Sequence, residues 1–294
     1  MRRFEWVNVF TNLPFGGNPL PVVLDAEGLD TIAMQAIARE FGTVETTFVL
    51  PPLNPAHTAH VRIFTPNREL PFAGHPNVGT AYVLARQGHV FGRPVPDVLL
   101  FEEQAGLIPV ELLREGGQVT GAAFTAPAPF TQWVGLDLAL VAAGLGLDPA
   151  AIDTAGHGPV VGSVGLPFVL VALRDRATLA AVVPDAAALT RLFAMANATG
   201  VLAYAPSGPD DGPCAWSSRM FCFQPTLIED PATGSANAAL VALRAALTGT
   251  PQAYAITQGV DMGRPSVLHA WTDGNGAHIG GSCVPMLDGH ITAM

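Results

Sequence analysis

One local pattern occurs twice in this 294-residue chain, and it constrains the fold more than any single motif does. The first copy reads Arg62-Ile63-Phe64-Thr65-Pro66, then Glu69, then Ala73-Gly74-His75-Pro76-Asn77. The second reads Phe223-Gln224-Pro225, then Glu229-Asp230, then Thr233-Gly234-Ser235-Ala236-Asn237. Each places Phe-x-Pro before a polar turn that holds a carboxylate, then Gly-x-x-Asn, then an Ala-rich apolar run. From Pro66 to Gly74 is 8 positions, and from Pro225 to Gly234 is 9. The order is strand, turn, helix both times, so the chain reads as an internal duplication.

The local signals support that order. Val61 to Phe64 and Ser218 to Phe223 read as strand ends. Pro76 suits the first turn of a helix that Gly88 closes. Ser235 is a good N-cap for a second helix over 236–247, with Gly249 just beyond. That second helix is apolar on nearly every side, carrying Ala238, Ala239, Leu240, Val241, Leu243 and Leu247, and such a helix is buried all round. Each repeat is therefore expected to enclose its helix in a sheet. More ordinary helices run from Asp30 to about Phe41, closed by Gly42, and from Asp185 to about Ala196. The Pro/Gly/Ala-rich passage Gly116 to Pro129 reads as a crossover between the halves.

Composition removes several classes of function. Hydrophobic residues make up 49% of the chain and charged residues 13%, which fits a large core and argues against disorder. Mean hydropathy is +0.36, yet the longest apolar stretch, Val164 to Leu173, is broken by Pro167 and falls short of the roughly 20 residues a membrane span requires. Met1-Arg2-Arg3-Phe4-Glu5 leads into no apolar signal region. A soluble, cytoplasmic protein without a membrane partner is expected. The formal charge is −10 with no basic cluster, so nucleic acid is not an expected partner. All 14 cationic residues are Arg, and the absence of Lys excludes a Schiff base, covalent pyridoxal phosphate and a P-loop. Cys214, Cys222 and Cys283 lack zinc-site spacing and read as reduced, partly buried thiols. His57 and His60 follow a Pro-rich approach that keeps them from sharing a helix, so no metal is expected. Gly274 to Gly281 lacks the strand and helix of a dinucleotide fingerprint. Trp133, Trp216 and Trp271 are expected to pack.

Further motifs complete the reading: Val9-Phe10-Thr11, Phe15-Gly16-Gly17-Asn18-Pro19, Glu45-Thr46-Thr47-Phe48-Val49, Phe64-Thr65-Pro66, Glu69 to Pro76, Glu229 to Ala236, Gln258-Gly259 and Met262-Gly263-Arg264-Pro265-Ser266. Together, in this order and nearly from end to end, they resemble the phenazine-biosynthesis (PhzF-like) isomerase family. The resemblance implies an α+β, diaminopimelate epimerase-like fold of two pseudo-symmetric domains, each a curved, mostly antiparallel sheet around a central helix. The domains are expected at 1–118 plus about 279–294, and at 119–278, with the active site in the cleft between them. Gly17 stands where the family commonly has Ala, and Asn77 where it more often has Thr.

The two helix starts admit two readings. Gly74-His75 and Gly234-Ser235 either permit tight turns before packed helices or present backbone N–H groups to an anion. The resemblance favours the second, with Asn18, Gly74, Gly234 and Ser235 binding substrate. By itself Glu45 reads as a solvated loop carboxylate, Asp230 as a turn residue ahead of Pro231, and His75 as a structural helix-start histidine. The resemblance implies instead that Glu45 is the general acid/base, raised in pKa by an apolar cleft, with His75 and Asp230 as catalytic partners. Racemases of this fold carry a cysteine immediately before each helix-start glycine; here those positions are Ala73 and Thr233, so two-thiol racemisation is not expected. The implied function is a cofactor-free acid/base proton shift on a small cyclic or amino-acid-like carboxylate, the type reaction being isomerisation of trans-2,3-dihydro-3-hydroxyanthranilate, in a homodimer. A binding protein on the same scaffold, or a lyase using the same base, remains open at this point.

Overall fold

A computed structural model describes residues 1–133 and 135–292. The chain divides into two compact units, residues 1–125 together with the C-terminal residues from Gly280, and residues 126–279. The passage Gly116 to Pro129 does carry the chain from the first unit to the second, between Thr125 and Ala126, but it opens with a hairpin. Gly116 and Gly117 take φ of +56° and +82°, the left-handed pair a two-residue turn requires. They join strand Gly106–Glu115 to strand Gln118–Thr125, with Gln118 opposite Glu115. The first unit thus runs seven residues past 118, because this strand is hydrogen-bonded to its predecessor.

In the first unit, strand Arg2–Val9 lies antiparallel to both Asn18–Val23 and the C-terminal strand, with Val9 opposite Cys283 and Arg2 opposite Ile291. Helix α1 (Thr31–Phe41) starts where the Asp30 carboxylate accepts from the Ala33 N–H at 2.8 Å and ends at Gly42, whose φ of +65° closes it. It leads into strand Thr46–Leu50, parallel to Asn18–Val23 and antiparallel to Ala59–Phe64. Met34, Ile37 and Ala38 of α1 pack on Val23, Phe48 and Phe64 of these strands. Helix α2 (Gly74–Gln87) is buried continuously from Gly74 to Leu84 and contacts five of the longer strands. Gly79 allows the closest approach, since a Cβ there would lie 2.6 Å from Leu20 and 2.7 Å from Val9.

The second unit has the same plan. Helices α3 (Leu138–Leu145), α4 (Arg176–Ala180) and α5 (Ala186–Ala196) are each N-capped by an aspartate, Asp137, Asp175 and Asp185. Leu189 and Leu192 of α5 pack with Val141 and Leu145 of α3 on Val169, Val171, Val201 and Phe221. Strand Pro167–Ala172 is parallel to Gly200–Pro206, which is antiparallel to Trp216–Phe223. Helix α6 (Gly234–Thr248) is buried at every position from Ala236 to Leu243 and closed by Gly249 at φ +67°. Its N-cap is Thr233, one position before the helix starts at Gly234, so Ser235 lies inside the first turn and is not the cap. Among the described residues, no helix is long and apolar enough to cross a membrane. Trp133 is 39% exposed, while its indole N–H donates to the Ala196 carbonyl.

The hydrogen-bond register makes the duplication residue-specific. Phe64 faces Glu69 across one hairpin and Phe221 faces Glu229 across the other. Arg62 grips Glu69 through two bonds of 2.7 Å and lies 5.2 Å from the Phe64 ring. Arg219 grips Glu229 at 2.9 and 2.8 Å and lies 5.1 Å from the Phe221 ring. Phe64 therefore corresponds to Phe221, and not to Phe223 as the Phe-x-Pro spacing suggests; the second hairpin is longer. From the carboxylates onward the two copies run in step: Glu69 with Glu229, Ala73 with Thr233, Gly74 with Gly234, Asn77 with Asn237.

Candidate active site

Each helix start is built alike. Asn77 donates from Nδ2 to the Ala73 carbonyl at 3.1 Å, and Asn237 donates to the Thr233 carbonyl at 3.0 Å. Both asparagines are fully buried. Neither N-cap residue satisfies the first turn with its side chain. The leading N–H groups have no acceptor within their own helix, so each turn carries the partial positive charge of a helix start. In α2 these are Gly74 and His75, because Pro76 has no N–H; in α6 they are Gly234, Ser235 and Ala236.

In the first unit, Glu45 and His75 meet. Glu45 precedes strand Thr46–Leu50, held there by Thr43, whose hydroxyl donates to the Glu45 carbonyl at 2.8 Å. The next strand residues are tied to α2, since Thr80 donates to the Thr47 hydroxyl at 2.9 Å. The Glu45 Oε2 atom lies 3.4 Å from His75 Nδ1, with Glu45 only 6% and His75 only 5% exposed. A carboxylate so close favours imidazolium, but complete burial outweighs it and pushes the His75 pKa down to about 3. His75 is thus a neutral imidazole at neutral pH, and its buried Nε2 meets no hydrogen-bond partner among the described residues. Asn18 is fully buried at the start of its strand, opposite Val9.

In the second unit, Asp230 is 5% exposed and its Oδ2 accepts a very short hydrogen bond from the Thr233 hydroxyl. Gln258 organises this corner. Its Nε2 donates to the Asp230 carbonyl at 2.7 Å and to Thr233 Oγ1 at 3.1 Å. Its Oε1 accepts from Asn237 at 2.7 Å and from the Thr233 N–H at 3.2 Å. Sequence reasoning quoted Gln258 within a motif and gave it no role; its four simultaneous bonds, to three residues of the Asp230–Asn237 segment, are visible only in the folded chain. Ser235 is half-buried in the first turn of α6.

The register also shows why the two units are chemically unequal. Thr46 pairs with Phe64, and Val201 pairs with Phe221. Glu45 therefore corresponds to Gly200, each three residues beyond the left-handed residue that ends the preceding helix, Gly42 and Asn197. A Cβ at Gly200 would lie 2.8 Å from the Phe221 carbonyl, so this place in the second unit has no room for a carboxylate. Conversely, Asp230 corresponds to Leu70. Glu45 and His75 lie in the first unit, and Asp230 and Ser235 in the second. The remaining sequence readings fall away from the helix starts. His57 is bonded to Glu102 at 2.7 Å, and among the described residues no cluster of three or more His, Cys, Asp or Glu is arranged to hold a metal. All three cysteines are buried.

Comparison with solved structures places the fold. A phenazine biosynthesis protein of the PhzF family from Bacillus anthracis matches with a TM-score of 0.86 at 24% identity, covering 99% of both chains. A hydroxyproline epimerase from Agrobacterium vitis matches with a TM-score of 0.63 at 14% identity over 99% of this chain and 90% of its own. These likenesses define an epimerase-like α+β fold. Residues 7–289 match the phenazine biosynthesis-like protein family, PhzC-PhzF. The trans-2,3-dihydro-3-hydroxyanthranilate isomerase of Pseudomonas chlororaphis is 38% identical over 93% of this chain and 91% of its own. An uncharacterized isomerase of Mesorhizobium japonicum is 36% identical over 99% and 98%. The chain belongs to the PhzC-PhzF family.

Proposed function

We propose that this protein catalyses a cofactor-independent proton shift on a small cyclic or amino-acid-like carboxylate, with trans-2,3-dihydro-3-hydroxyanthranilate as the first substrate to test. The observation that carries the reading is the buried Glu45–His75 contact beside the uncapped start of α2. Glu45 takes a proton from one substrate carbon and returns it to another, so the product is an isomer and no electrons leave the substrate. His75, being neutral, orients the Glu45 carboxyl and can exchange a hydrogen bond without adding charge. Asp230 and Ser235, with the N–H groups of Gly74 and Gly234, bind and polarise the substrate, and Asn18 takes part in binding. The absence of cysteine at positions 73 and 233 supports a single carboxyl proton carrier over a two-thiol racemase. The relatives named isomerases support this substrate class over a non-catalytic binding role.

The test is turnover in deuterated water followed by proton NMR. Native protein is expected to consume substrate with deuterium entering the ring. Glu45→Gln should lower turnover by at least about 100-fold, the contribution typical of a positioned general acid/base, while the circular dichroism spectrum is unchanged. Full turnover in Glu45→Gln overturns the assignment. We also propose a cytoplasmic homodimer, supported by the apolar Phe15, Ile32 and Leu53 side chains that stand exposed on the first unit; a monomer mass by light scattering overturns it.

A further inference from the structure

The strand register extends the duplication to one more pair. Strand Ala59–Phe64 is parallel to Val98–Glu103, with Ala59 opposite Phe101. Strand Trp216–Phe223 is parallel to Ala253–Gln258, with Trp216 opposite Ile256. Since Arg62 corresponds to Arg219, Ala59 corresponds to Trp216, Phe101 to Ile256, and Glu103 to Gln258. The residue that fastens the start of α6 thus has a carboxylic acid as its counterpart beside α2. We propose that Glu103, carried as an uncharged carboxylic acid, is the positioning residue that holds Asn77 and with it the first turn of α2, on which His75 stands.

Three observations support this. First, both Glu103 carboxyl oxygens are shut away from solvent, and neither meets a well-aligned hydrogen-bond partner among the described residues. The Asn77 amide lies near enough to favour the charged form, yet burial dominates and pushes the Glu103 pKa up to about 8. Second, Asn77 Oδ1 is also buried without a donor among the described residues. In the second unit, Asn237 Oδ1 accepts from the Ser218 hydroxyl at 3.4 Å, and the residue corresponding to Ser218 is Val61, which has nothing to donate. Third, a protonated carboxyl has both an O–H donor and a carbonyl acceptor, the same complement as a glutamine amide, whereas a carboxylate only accepts. The neutral acid can accept from the Asn77 amide, as Gln258 Oε1 accepts from Asn237, and it still offers an O–H toward the buried Asn77 Oδ1. No ionised neighbour accounts for the shift. Glu102 and His57 line the same open surface depression as Glu103 but are engaged with each other; His60 pairs across the strands with Glu102; His75 is neutral.

The sign of the pH effect follows. Glu103 titrates at about 4.5 in the unfolded chain and at about 8 in the folded one. Its contribution to stability is fully present below the unfolded value and is lost as pH rises between the two, levelling off above. The experiment compares native protein with Glu103→Gln and Glu103→Leu. The Glu103 carboxyl ¹³C resonance is expected to titrate near pH 8 in native protein. Glu103→Gln should keep the native urea midpoint and the native His75 ¹⁵N shifts in mildly acidic buffer, and should remove the decline in midpoint toward alkaline pH. Glu103→Leu should lower the midpoint throughout and move the His75 resonances. A Glu103 carboxyl titrating in the ordinary carboxylate range, or a Glu103→Gln protein as damaged as Glu103→Leu, overturns the proposal. If Glu103→Leu does not fold, the ¹³C titration and Glu103→Gln still decide. These readouts need no turnover, so their outcome is separate from that of the Glu45 test.

Discussion

Replacing Gln258 by leucine should loosen the start of α6 more than any surface change could. The side chain is 1% exposed and makes four hydrogen bonds, at 2.7, 3.1, 2.7 and 3.2 Å, to Asp230, Thr233, Asn237 and again Thr233. Leucine is close in volume, so little cavity term is expected and the loss is polar. At a net value of about 1 kcal/mol per bond, and with the buried Thr233 N–H left facing an apolar group, the cost is about 4 kcal/mol. Asn237 retains its bond to the Thr233 carbonyl, which limits the damage to the turn before the helix. Urea unfolding followed by tryptophan emission suits the measurement, because Trp216 and Trp271 belong to the second unit. The midpoint should drop with an unchanged slope, and amide exchange at Thr233, Ser235 and Ala236 should accelerate more than at Leu243. A change below about 1 kcal/mol, within the range of a substitution that breaks nothing specific, refutes the reasoning that Gln258 organises this corner.

Three further outcomes follow from the same structure. Because burial holds the His75 pKa at about 3 against 6.5 in the unfolded chain, stability should be lost as pH falls between those values, by up to about 5 kcal/mol; the acid limb of a urea-midpoint profile should flatten in His75→Asn, and an unchanged limb counts against a buried neutral imidazole. Gly200→Ala forces a Cβ within 2.8 Å of the Phe221 carbonyl and should cost about 1–3 kcal/mol in thermal unfolding, although alanine is otherwise well tolerated in buried strands. Gly17→Ala restores the residue common in the family, yet Gly17 has φ +69° and its Cβ would lie 2.4 Å from the Val9 carbonyl; a loss of about 2 kcal/mol or more is expected, and a neutral result shows that the loop relaxes.

Much of the fold was legible because it rests on local chemistry. Asp30 and Asp185 announce helix starts, and Gly42, Gly88 and Gly249 announce helix ends, since a capping carboxylate and a left-handed residue act within one turn. The all-round apolar α6 announced its own burial. The motif set carried the family, and Glu45 and His75, thirty positions apart in the chain, are brought within 3.4 Å. Where sequence reading erred, the cause was short-range ambiguity. Ser235 and Thr233 are equally good caps on paper, and the Thr233 hydroxyl is drawn instead to Asp230. The passage Gly116 to Pro129 reads as a crossover throughout, and only strand pairing shows that its first residues turn a hairpin before the chain crosses. Glu103 carried no signal, because in Phe101-Glu102-Glu103 two adjacent carboxylates look equally solvated; in the strand one is bonded to His57 and the other turns into the protein. The sequence by itself determined the duplication, the aspartate caps and the candidates for the reactive side chains, all set by neighbours along the chain. Only the tertiary structure decided which carboxylates are buried, which glutamine and which glutamate occupy equivalent places, and why Gly200 leaves the second unit without a counterpart to Glu45, because strand pairing joins residues that no spacing along the chain relates.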